Sequence, residues 1–152
     1  MELAPLTPGQ QAAAAALVSS RRIEAVVGDH ERADAFVTRA AAAMTDADNL
    51  THAHTIYNVA YDACHDVGEA VLAAYGYRTV SGAGQHEAVG RFLTLVFNAP
   101  PGERAAKRFD QLRRARNSNR YEVTPVGAVQ AEQAKTVALE LIAAAQSLGL
   151  GQ

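Results

Sequence analysis

The 152-residue sequence holds one cysteine, no tryptophan, and only nine phenylalanines and tyrosines together. A single thiol, Cys64, excludes an intrachain disulfide and any multi-cysteine zinc site. No apolar run reaches the roughly 18 residues that span a bilayer. Residues 1–9 lack the basic-then-apolar layout of a secretory leader. A strong charge of either sign is missing too, because the formal net charge is -2. What is abundant is alanine, at 33 positions. Alanine is the best helix former, whereas strands favour β-branched and aromatic residues, so the core must come from close helix–helix packing. These features predict one soluble, cytoplasmic, all-α domain over residues 1–152, a length that suits a single domain. The near-neutral total charge, taken alone, argues against a nucleic-acid partner.

Start and stop signals predict an antiparallel bundle of about five or six helices. Thr7-Pro8 opens the first as N-cap and first-turn proline, and Gly28 stops it, giving residues 8–27. Asp29 caps a second that ends near residue 46, with Phe36, Val37 and Met44 on one side. The third starts at Asn49 or Thr51 and runs to Tyr75, closed by Gly76. Its core face reads Ile56, Val59, Ala60, Ala63, Val67, Ala70, Val71 and Ala74. Residues 77–84 read as a loop and 85–97 as a fourth helix, ended by the Asn98-Ala-Pro-Pro-Gly102 break. A fifth covers 103–120, with Ala105, Phe109, Leu112 and, by spacing, Ala115 or Arg116 inward. Thr124-Pro125 opens a last helix that Gly149 closes, with Val129, Ala134, Val137, Leu141 and Ile142 as its core stripe.

The charge is unevenly spread. Seven of the 14 basic residues lie in 103–120 against two acids, so this segment carries +5 and the remainder -7. A basic strip on an acidic body is the footprint of phosphate contact, since each neutralised phosphate releases counterions. Six of the seven are arginines, whose planar fork pairs with phosphate bidentately. The strip ends in Arg116-Asn117-Ser118-Asn119-Arg120-Tyr121, polar residues that weaken a helix and suit contacts better than structure.

The face of the third helix opposite its core carries His54, Tyr57, Asn58, Tyr61, Asp62, His65, Asp66 and Glu69. Tyr and His at such positions also serve to cap a core edge, ring buried and polar tip wet. Asp62 or Asp66 is placed to orient Arg113 or Arg116. No metal or other cofactor is expected: His52 and His54 point to different sides of a helix, and no HExxH pair exists. Cys64 falls in the core pattern, where a free thiol behaves as a small hydrophobe.

From Tyr57 to Arg78 the chain reads YNVAYDACHDVGEAVLAAYGYR, which resembles the central helix of HEPN (higher eukaryote and prokaryote nucleotide-binding) domains. His86-Glu-Ala-Val89 with Phe92-Leu93 resembles the next helix of that family, and Leu112-Arg-Arg-Ala-Arg116-Asn117-x-x-x-Tyr121 its signature helix. The likeness covers residues 50–146, with residues 1–49 less clearly matched. It implies a helical bundle that dimerises through the signature helices. It also implies kinship with metal-independent ribonucleases, toxins among them, that use an Arg-x(4–6)-His motif. There the arginine stabilises phosphate charge and the histidine shuttles protons.

Arg116 takes the arginine position and Asn117 the polar residue after it, but Tyr121 stands where the histidine belongs. A phenol with a pKa near 10 is a poor general base at neutral pH. No histidine follows His86, and His65 on the third helix is a candidate to supply an imidazole. The leading expectation is therefore a homodimer that binds RNA or nucleotide, with ribonuclease activity impaired or absent. Arg116, Asn117, Tyr121 and His65 would form its centre, with Arg113, Arg120 and Asp62 around them. The alternative is a protein-interaction module that docks a nucleotidyltransferase or antitoxin partner through the arginine strip, and a plain structural dimer is a third.

Overall fold

The computed structural model describes residues 2–122 and 125–152, the side chains of 118–122 excepted. It is an all-α helical bundle of six helices with one small β-ribbon, in the order α1 (Pro8–Ser19), β1 (Ile23–Ala25), α2 (His30–Ala47), α3 (Ala53–Tyr75), β2 (Tyr77–Thr79), α4 (Gln85–Val96), α5 (Gly102–Glu122) and α6 (Ala128–Ser147). Among the described residues no helix is long and apolar enough to cross a membrane.

α3 is the axis of the bundle and packs against α2, α4, α5 and α6. Small residues line these seams: Ala33, Ala40 and Ala47 on α2, Ala60, Ala63 and Ala70 on α3, and Ala134, Ala138 and Ala145 on α6 are all buried. Short side chains let helix axes approach to the lower end of the usual 8–10 Å, so a core poor in aromatics still closes. Gly68 marks the tightest contact: a Cβ there would lie 2.1 Å from Val89 Cγ1 on α4. Cys64, buried at the centre of α3, packs as the sequence predicts, and burial pushes its thiol pKa up.

Three local expectations are corrected. The first helix stops at Ser19, not near residue 27. Arg21 takes a left-handed conformation (φ 60°), and Ile23–Ala25 pairs antiparallel with Tyr77–Thr79, inside the expected 77–84 loop. The run Ile23-Glu-Ala-Val-Val27 is rich in β-branched residues, and burying Ile23 in the ribbon outweighs the helix signal of the alanines before it. Gly76 sets up this pairing: its left-handed backbone (φ 84°) ends α3, and its carbonyl accepts from Val26 N–H at 2.8 Å. α6 begins at Ala128, with Gln130 Oε1 accepting from Gly127 N–H (2.9 Å), so Pro125 precedes the helix and does not open it. Val129 is consequently exposed, and the buried stripe begins at Ala131.

Candidate functional site

α4 and α5 cover part of the outward face assigned to α3, which buries Tyr57 and Tyr61 among the core residues while Asp62 stays exposed. Their hydroxyls do not reach water. Tyr57 Oη donates to Leu112 O on α5 (2.8 Å), and Tyr61 Oη hydrogen-bonds His86 Nδ1 on α4 (2.8 Å). Burial raises both phenol pKa values, that of Tyr61 to about 12 against the opposing pull of Arg116 and Arg113.

Tyr61 anchors an aromatic and cationic stack. Its ring lies 5.4 Å from that of Phe109 and 5.6 Å from the nearly parallel imidazole of His86. The guanidinium carbon of Arg116 sits 4.6 Å from the Tyr61 ring centroid, a cation–π contact that fixes the arginine head without neutralising it. Among the described residues no carboxylate forms an ion pair with Arg116. His65, one turn along α3 from Tyr61, brings its ring to 4.4 Å from His86.

These groups line a cleft of about 530 Å³ whose walls are Arg39, Asp62, His65, Asp66, His86 and Arg116. The neighbouring acids are largely committed. Asp66 takes a bidentate pair from Arg39 of α2 (2.9 and 2.6 Å), and Glu69 accepts from Thr79 Oγ1 at 3.0 Å. Glu69 stands 3.9 Å from His65 Nε2, too far for a hydrogen bond, and that buried nitrogen has no partner among the described residues. Both imidazole pKa values are lowered. For His65 burial is the main cause, with Asp66 and Asp62 opposing it; for His86 burial is reinforced by His65 and Arg116. The empty cleft therefore holds two neutral imidazoles beside an arginine at neutral pH.

Of the residues expected from sequence, the fold brings Arg116, His65 and Asp62 into this one cleft, and Asn117 lies exposed on the next position of α5. Arg113 is elsewhere: its Nε and Nη2 bind Asp110 Oδ1 (3.1 and 2.9 Å), and it lines a separate groove toward α1. Neither Asp62 nor Asp66 pairs with Arg113 or Arg116, because Asp66 is held by Arg39 and Asp110 holds both Arg113 and Arg114. The side chains of Arg120 and Tyr121 lie outside the described residues.

His86 is the site residue that sequence reasoning missed. About 15 Å of helix separates His65 from the end of α3. Residues 77–84, a three-residue strand followed by bends and turns, lead back along it and set the first turn of α4 beside His65. Helical periodicity carries no trace of such a return. Among the described residues no group of three or more His, Cys, Asp and Glu side chains is placed to hold a metal ion. No family model matches the chain, and neither the curated proteins nor the solved structures include one significantly similar to it.

Proposed function

We propose that this chain is a HEPN-like protein that binds RNA or nucleotide, with the ligand's phosphate seated in the cleft against Arg116. The observation that carries the reading is Arg116 itself: stacked on a buried tyrosine, unmatched by an acid among the described residues, and facing a polar cleft. Such an arginine is held ready for an anion and loses little freedom on binding it.

Part of the wider strip on α5 is engaged within the helix. Lys107 pairs with Glu103, and Arg113 and Arg114 with Asp110, which leaves Arg104, Arg108 and Arg116 without an acid partner among the described residues. About three phosphate contacts on a single strand imply that tripling the salt weakens binding roughly tenfold. The resemblance adds a homodimer joined through α5, which light scattering would read as twice 16.1 kDa.

Fluorescence anisotropy with a labelled 20-nucleotide single-stranded RNA tests this reading. Arg116→Ala is expected to weaken binding about tenfold or more, as befits loss of a charged hydrogen-bonding partner. Binding indifferent both to Arg116→Ala and to salt overturns it. Loss on Arg104→Ala with Arg116→Ala silent would move the ligand away from the cleft to the Arg104 end of α5 and favour the alternative, a docking face for an acidic protein partner.

A further inference from the structure

We propose that the outer edge of β1 is an interface between two copies of this chain. The strands pair antiparallel about a twofold axis at Ala25 and join the two ribbons into one four-stranded sheet. This interface is separate from the cleft and stands independently of its ligand.

The hydrogen-bond register leaves that edge open. Ile23, Glu24 and Ala25 face Thr79, Arg78 and Tyr77, and Val26 N–H continues the ladder to Gly76 O (2.8 Å). Bonded residues alternate in an antiparallel pair, so Glu24 and Val26 turn their main-chain groups toward β2. Ile23, Ala25 and Val27 turn theirs away. No main-chain group outside the ribbon bonds those three among the described residues. α3 and α4 pack against β2, whereas α1 is tied to the start of β1 by Arg22 N–H on Leu17 O (2.9 Å). Beyond that point Ala25 and Val26 are exposed, and Val27 is 90% exposed. The usual guards of an open edge are missing. Residues 23–27 hold no lysine or proline, and their one charge, Glu24, pairs across the ribbon with Arg78.

What fits this edge is the same strand reversed, because the sequence around Ala25 complements itself. Pairing Ala25 with its own copy sets Ile23 opposite the partner's Val27 and Arg21 opposite the partner's Asp29. Ile23, Ala25 and Val27 all present outward groups, so the ladder closes with about six hydrogen bonds, two for each opposed pair. A slip of one residue would set outward groups against inward ones and lose them. Directly opposed side chains share a face of the sheet, so Val27, left bare by its own fold, packs beside the partner's Ile23. The ends of the ladder match in charge. Arg21 and Asp29 are exposed, and Asp29 gives Oδ1 to Arg32 N–H (2.9 Å) while its other oxygen is left for the guanidinium.

Cysteine cross-linking of the full chain tests both the contact and its register. Opposed Cα atoms in a bonded antiparallel pair lie about 5.5 Å apart, within disulfide range. Ala25→Cys should therefore give a covalent dimer of twice 16.1 kDa under oxidised glutathione. Val27→Cys should not, because its two copies stand roughly 14 Å apart along the strands. Wild type, whose one thiol is enclosed, is the blank. Sedimentation against concentration gives a second readout. Ala25→Pro removes an outward N–H and spares the bonds to β2, and Val27→Lys places a charge at the seam. Each should raise the concentration at which this contact forms about tenfold or more, since the twofold axis doubles every change. Circular dichroism melting checks folding, and if Ala25→Pro unfolds, Val27→Lys and the two cysteine variants still decide. No cross-link at Ala25→Cys, or one at Val27→Cys instead, overturns the proposal. So does association that neither Ala25→Pro nor Val27→Lys moves. An edge reserved for another protein's strand, or a dimer joined through α5 alone, gives that negative result and leaves the RNA reading standing. RNA that fails to bind, with the Ala25→Cys cross-link present, overturns that reading and leaves this interface.

Discussion

Tyr61 shows how much one side chain organises here. Its ring carries Arg116 on a π-face, its hydroxyl fixes His86, and its burial ties both to the core. Helical spacing places Asp62 and His65 on one face of α3, whereas Arg116 stood out through the arginine run and the family resemblance; the fold brings the three into one cleft. The two tyrosines were assigned to the open face for a definite reason: periodicity predicts one buried stripe, whereas α3 is enclosed on several sides and hides its polar tips by internal hydrogen bonds. The imidazoles also leave a thermodynamic signature. Their folded pKa values lie below the unfolded value near 6.5, so in acid the unfolded chain binds protons that the folded chain refuses. Their stabilising contribution is complete above about pH 7 and fades as pH falls through 6.5 toward 5. Urea midpoints should hold from pH 8 to 7 and drop from 6.5 to 5, with a smaller drop in His65→Gln/His86→Gln. An equal drop in that variant would assign the effect to other groups.

At the scale of elements, the seam between α3 and α4 sets the distance between the histidines. Gly68 makes that seam possible, with Val89 Cγ1 at 2.1 Å and Leu93 Cδ1 at 3.4 Å from where a Cβ would stand. Gly68→Ala gains about 1 kcal/mol in helix propensity but overpacks a buried contact at a cost of about 1–3 kcal/mol. The expected result is net destabilisation, seen as a melting temperature lower by a few degrees, together with weaker RNA binding as α4 and His86 shift outward. A variant more stable than wild type would show that the seam has slack. Most helix ends were legible from Thr7, Asp29, Gly76 and the Pro100-Pro101 break. The ribbon was not, since three-residue strands stabilised by Ile23 burial and a left-handed Arg21 give no periodic signal.

The whole molecule trades side-chain bulk for proximity: alanine seams close a core with few aromatics, and Phe109 and His86 stack on Tyr61 of α3. The all-α architecture was legible from composition because a chain with 33 alanines favours packed helices over sheets. Net charge was a poor guide to partners, since it averages +5 on one segment with -7 elsewhere. Within that segment Glu103 and Asp110 engage Lys107, Arg113 and Arg114, so the +5 is carried mainly by its other arginines.

Cys64 turns this arrangement into an instrument. It is the chain's one thiol, wholly enclosed, and one position along α3 from His65. With no tryptophan to report by fluorescence, a thiol-reactive dye can act as a clock: labelling proceeds only when α3 opens, and opening dissolves the cleft. RNA that occupies the closed form should slow labelling by the factor one plus ligand over Kd, roughly tenfold at ten times Kd. Labelling at the same rate with and without bound RNA would mean that the ligand sits where the central helix does not feel it.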